Sequence, residues 1–239
     1  LAHISRKELK TDEVRNTFAQ GAEAVLSHKQ FTTYILVAAV VVAAAIFGWK
    51  AYSERQTVKA SAAFDDAMKI FQARIRTPIE PVEPGEVTYV DEKTKFSDAA
   101  KKFDDVAKKY PRTRPGQLAS YYLALSDEKL GKDADAKKLF QSVSDAGDEE
   151  FSAMSRFQLA QLDDRTGSDA EAVKLYQQLM DKPTVLVPKP LVMFALAEHY
   201  RQKDPAQAAK LYGQIKSEYP DTPIADQADQ ELALLPSKS

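Results

Sequence analysis

The sequence predicts an all-α protein, with a single transmembrane helix near the N-terminus followed by an α-solenoid of antiparallel helix pairs. Three observations predict it. An uncharged apolar run covers residues 31–49. Behind it, a small residue placed four before an aromatic recurs about every 36 residues. The eight Gly and twelve Pro fall mostly between apolar-periodic stretches, which is the punctuation of helices.

The first element is the segment at 1–30. Thr11 and Asp12 are possible N-caps, and Val14, Phe18, Ala22, Val25 and Leu26 recur at helical spacing. This pattern predicts a short amphipathic helix that lies on a membrane surface or docks on a partner.

The second element is the predicted transmembrane helix at 31–52. Nineteen helical residues rise about 28 Å, close to a hydrocarbon core of roughly 30 Å. Nine of residues 31–49 are Phe, Ile, Leu or Val. Together they favour insertion by about 3–5 kcal/mol, and no charge opposes them. Tyr34 at one end and Trp49 with Tyr52 at the other fit interfacial aromatic belts. A cleaved signal peptide is the rival reading, since Ala43–Ala45 and Ala60–Ala62 offer small residues at cleavage spacing. The long leader and the length of the run favour a retained anchor. Orientation stays open on charge alone. Arg6, Lys7, Lys10, Arg15 and Lys29 precede the span, and Lys50, Arg55, Lys59 and Lys69 follow it.

The third element, residues 53–239, is the repeat domain. The segments "DAAKKFDDVAKKYP", "DADAKKLFQSV", "DAEAVKLYQQLM" and "DPAQAAKLYGQIKSEYP" align on Ala99/Phe103, Ala136/Phe140, Ala172/Tyr176 and Ala208/Tyr212. Three are preceded by a helix carrying Ala124, Ala160 or Ala197. Two helices approach closely only where a face is small, and the aromatic then fills the space between neighbouring pairs. One pair cannot bury its apolar face alone, so pairs stack. The first pair begins with "ASAAFDDAMKIF", read as a continuation of the membrane helix. A Pro-rich loop is expected at 77–91 and a second loop at "DKPTVLVPKP". Helices are expected near 92–110, 114–130, 133–145, 149–166, 168–181, 188–202 and 204–218. A last helix near 223–235 has no partner of its own and reads as a terminal cap. "YPRTRPGQLA" and "YPDTPIADQA" form a second internal match.

At these residues the chain resembles the tetratricopeptide repeat. The small residues of both helices, the aromatic of the second helix, and Pro111 and Pro220 fit it. The early Trp and the Leu-Gly pair are missing, and Asp127 and Asp163 stand where that family prefers an aromatic. The layout of span and degenerate repeats is similar to the YfgM-like membrane-anchored tetratricopeptide proteins of Gram-negative bacteria. The shared parts are "FGWKAY", "ASAAFDDAM" and the repeats from about Lys93. That resemblance implies a cytoplasmic N-terminal segment, an inner-membrane anchor and periplasmic repeats. It also implies association with the Sec translocon and periplasmic folding factors. The tail "KLYGQIKSEYPDTPIADQA" resembles outer-membrane assembly lipoproteins and periplasmic cell-division coordinators as well. That similarity keeps an envelope-assembly or cell-division scaffold as the alternative.

Chemistry is sparse. The net charge of −2 lacks the basic excess of a nucleic-acid binder. There is no cysteine, hence no thiolate ligand, nucleophile or lipidation site. His3, His28 and His199 show no ligand spacing, and no phosphate loop or nucleophile motif is present. Asp104-Asp105 and Asp163-Asp164 read as solvated faces. No catalytic, cofactor or metal residue is therefore expected, and the protein is expected to be a non-enzymatic interaction scaffold. Transferring the repeat's groove positions gives Tyr121, Glu128, Phe157, Gln161, Asp164, Glu198 and Arg201 as candidate partner contacts.

Overall fold

The structure, a computed structural model, describes residues 29–146 and 148–235. The amphipathic segment expected before the span, with His3 and His28, lies outside the described residues. The chain divides into two compact units, residues 1–55 and 56–239.

The first helix, α1, runs Lys29–Phe71. Its residues 33–49 are all exposed, among them Val41 and Phe47 at 60% and 74%. By length and composition this helix is a candidate membrane span, with a mean hydropathy of 2.0 in its most apolar window.

From residue 56 onward, α1 changes character. Ala60 and Ala67 are fully buried and begin a core shared with α2 (Glu92–Lys109). Phe64 and Phe71 set their rings 5.7 and 5.9 Å from that of Phe103. Such aromatic pairs add to the area they bury. Between the two helices the chain forms more than the expected loop. Strands β1 (Arg74–Ile75) and β2 (Thr88–Tyr89) pair in parallel. Arg74 closes the intervening loop by ion pairs to Glu80 and to Glu86, at 2.5 and 2.8 Å.

The remaining helices follow in pairs. They are α3 (Arg114–Lys129) with α4 (Asp133–Asp145), α5 (Glu149–Arg165) with α6 (Asp169–Asp181), and α7 (Lys189–Lys203) with α8 (Pro205–Glu218). Every repeat-defining residue is buried. Ala99, Ala124, Ala136, Ala160, Ala172, Ala197 and Ala208 are fully buried, as are Phe103, Phe140 and Tyr212, with Tyr176 at 1%. The four aromatics fall one in each of four successive core clusters, Phe103, Phe140, Tyr176 and Tyr212 in chain order.

Two inter-helix turns repeat in detail. Gly131 and Gly167 have φ of 73° and 83°, the left-handed conformation that ends a helix. After each glycine, the next amide donates back to an aspartate carbonyl, Lys132 to Asp127 and Ser168 to Asp163. The third turn lacks this glycine. Asp204 caps α8, its side chain accepting from the Gln207 amide, and Pro205 opens the helix.

The last helix, α9 (Pro223–Leu234), falls where the terminal cap was expected. Its Ala225 and Ala228 are buried with Met193 and Ala197 of α7 and Tyr212 and Ile215 of α8. It therefore packs as the opening helix of a further pair would, while Leu234 on its outer side is exposed. The matched "YP-x-T" turns are also structural matches. Thr113 and Thr222 each cap the helix that follows, and each donates its hydroxyl back to the Tyr110 or Tyr219 carbonyl. They differ at one place. A Cβ at Gly116 would lie 1.9 Å from the Tyr110 carbonyl oxygen. The second turn carries Ala225 at the matching place, and there Asp221 takes φ of 60°.

Candidate functional site

The first helices of successive pairs lie side by side, and a cleft of about 430 Å³ opens between α5 and α7. From α5 it is lined by Phe157, Gln161, Asp164 and Arg165, spaced so that they share one helix face. From α7 come Leu191, Phe194, Ala195 and Glu198, again on one face. Tyr176 of α6 closes the floor, its ring 6.1 Å from that of Phe157. The floor is thus apolar and aromatic, and the rim is charged.

Rim charges are held by partners. The Asp164 carboxylate faces His199 Nδ1 at 2.7 Å and accepts from Lys203 at 3.0 Å. Burial would raise its pKa, but Lys203 and His199 outweigh burial and hold the carboxyl below its ordinary value. Glu198 accepts from the buried Tyr212 hydroxyl and lies 3.6 Å from Arg201. Arg201 also reaches Glu231 of α9 at 2.9 Å. Arg165 bridges back to Glu128 of α3 at 3.2 Å and to Asp133 of α4 at 2.8 Å. The opening helices α3, α5, α7 and α9 are therefore stitched along one face by alternating charges.

Four of the seven groove residues expected from sequence meet in this cleft: Phe157, Gln161, Asp164 and Glu198. Glu128 and Arg201 flank it through their ion pairs. Tyr121 does not reach it. It is buried with Phe140, rings 5.6 Å apart, and burial pushes its phenol up to about 12. Sequence reasoning missed Arg165, Leu191, Phe194 and Ala195. A step of three or four residues from Gln161 or Glu198 along their helices would have found Arg165, Phe194 and Ala195, and a second step Leu191.

The reading of Asp163-Asp164 as a solvated face is corrected. Asp163 is buried at 3% and pairs with Lys137 from α4. Its neighbour Asp164 turns instead toward α7. His199 is buried at 6%, and its carboxylate partner stands 35 residues upstream, where no local spacing shows it. The ligand atoms of Asp164, Asp169 and His199 lie within 4.8 Å of one another. The Lys203 ammonium already bonds both carboxylates, at 3.0 and 2.7 Å, and supplies the positive charge there.

Stacked antiparallel pairs, with buried alanines between them and an open cleft between first helices, define a helical-repeat interaction domain. The comparisons agree. The model of a tetratricopeptide repeat-like domain matches residues 28–184, more than half of the chain. That of a tetratricopeptide repeat matches residues 191–222. The chain belongs to the tetratricopeptide repeat-like family. No curated protein matches it. Domains of this family are protein-interaction modules, generally without catalytic activity.

Proposed function

We propose that the protein is a non-enzymatic scaffold, anchored by α1 in a bacterial inner membrane, that holds a segment of a partner protein in the α5–α7 cleft. The cleft itself carries this reading. Phe157, Leu191 and Phe194 offer an apolar seat for a partner side chain. Gln161, Asp164 and Glu198 stand beside it as polar contacts. The candidate span and the resemblance to YfgM-like proteins support a cytoplasmic N-terminal segment and periplasmic repeats. They also support the Sec translocon and periplasmic folding factors as partners.

Affinity capture from solubilised membranes tests the partner. Translocon subunits or folding factors are expected with the native chain and lost with Phe194→Ser. Recovery of neither class removes the partner assignment. Topology is tested with the cysteine-free chain itself. A cysteine introduced at Ser237 should react with a membrane-impermeant reagent from the periplasmic side, and protection would reverse the orientation. The tail "KLYGQIKSEYPDTPIADQA" favours a second reading, an envelope-assembly or cell-division scaffold. Co-purification with septal or outer-membrane assembly proteins instead would select it.

A further inference from the structure

A second surface lies at the loop edge of the repeat domain, where the chain leaves α6 and enters α7. The tip of this loop is fixed in shape. Glu150 of α5 accepts hydrogen bonds from the amides of Val185 and Leu186, at 3.2 and 3.0 Å. Thr184 and Val187 close the turn on each other. The Thr184 amide donates to the Val187 carbonyl at 3.1 Å, and the Val187 amide to Thr184 Oγ at 3.2 Å. The Val187 side chain is buried at 2%, and Pro183 and Pro188 restrict the backbone on either side. This fixed tip displays two aliphatic side chains to solvent, Val185 at 86% and Leu186 at 51% exposure. A mobile loop can swing such groups away from water, but a tethered one holds them out.

One flank of the tip, at Val185, borders a hollow of about 560 Å³ whose other apolar walls are Pro183, Pro188, Pro190 and Tyr219. A polar hollow of about 480 Å³ adjoins it, sharing Glu149 and Thr184. Its rim carries Asp145, Glu149, Arg156 and Lys182. None of these four forms an ion pair with another described residue. Arg156 is nonetheless held in place, its Nε donating to Ser144 Oγ at 3.0 Å.

An aliphatic projection next to an apolar hollow is self-complementary under a two-fold axis. Such an axis through this edge would place the projection of each copy in the hollow of the other and close the contact. The charges point the same way. A partner of one sign would leave either the two acids or the two bases unmatched. A second copy of the same patch offers both signs at once. We propose that this loop edge is an isologous interface between two copies of the chain, centred on Val185 and Leu186 and rimmed by Glu149 and Lys182.

The full-length protein in detergent, followed by sedimentation over a range of concentrations, tests this. Concentration-dependent dimerisation is expected. Val185→Ser with Leu186→Ser should weaken it by about tenfold or more, the loss typical of an interface centre, with an unchanged unfolding temperature because both side chains reach solvent and the amides that Glu150 holds are kept. Association that persists unchanged in this variant arises elsewhere, α1 included, and overturns the proposal. So does a monomer at every concentration. Glu149→Lys should weaken the dimer and Glu149→Lys with Lys182→Glu should restore it; failure of the reversal removes the rim assignment. Because the native chain has no cysteine, Val185→Cys should cross-link between copies under mild oxidation, and Ile79→Cys, 93% exposed on another loop, should not.

Discussion

The two halves of α1 are equally helical and both apolar, yet they meet different surroundings. In residues 33–49 the apolar side chains cover the whole circumference and every one is exposed. In residues 60–71 they form a stripe. Ala60 and Ala67 are fully buried, while Asp65, Asp66 and Lys69 face water. A helix apolar all round is matched to lipid, and a striped one to a protein neighbour. The same secondary structure thus carries two different patterns of apolar side chains, and substitutions should separate them.

The largest effect is expected from Phe103→Ala in α2. It removes the ring that Phe64 and Phe71 pack against and should cost about 3–5 kcal/mol of domain stability, read by denaturant unfolding. Membrane insertion should not change. Val41→Arg reverses the pattern. It should oppose insertion by about 2.5–3.5 kcal/mol, read by the membrane-bound fraction, and leave the unfolding of the repeats alone. If Val41→Arg destabilises the repeats instead, the exposed half is not a lipid surface.

A smaller effect is expected from enlarging the crossings. Ala67→Leu should overpack α1 against α2 and cost about 1–3 kcal/mol, as Ala172→Leu should in α6. Ala45→Leu in the exposed half should cost nothing measurable. An unchanged unfolding temperature for Ala172→Leu would mean that the repeat register is wrong. The smallest effect is at Asp66. The hydrogen bond from Lys69, and then its charge, hold this carboxyl below its ordinary value of 3.8. A lowered carboxylate pKa contributes stability that is present above 3.8 and lost as pH falls below it. This pair is fully solvated, so Asp66→Asn should leave the acid-unfolding midpoint where it is.

The repeats were legible because their signal is local. Ala99 and Phe103 sit one helical turn apart, and the same pair returns at Ala136 and Phe140. The periodicity alone therefore marks which face is buried. The match between "YPRTRPGQLA" and "YPDTPIADQA" likewise reported a shared cap, since Thr113 and Thr222 need only neighbours three residues away. The candidate cleft was half legible. Phe157, Gln161, Asp164 and Glu198 follow from helix position, but Tyr121 shares that position and is buried because Phe140 lies against it. Position on a helix gives direction, and only the adjoining helix decides whether that direction is open.

The sequence by itself determined that α1 has one segment apolar around its whole circumference, that helix pairs follow it, and that alanines mark their crossings. Each of these rests on periods of a few residues that any window of the chain displays. The tertiary structure decided which polar groups became structural. Asp163 is buried because Lys137 arrives from the preceding pair, and Asp164 faces His199 and Lys203 because α7 stacks beside α5. It also decided which residues of α7 and α8 the last helix covers, and that Val185 and Leu186 are held outward by Glu150. Those outcomes depend on residues roughly 20 to 40 positions apart. Charge satisfaction acts through space, and no local pattern encodes which distant group will be near.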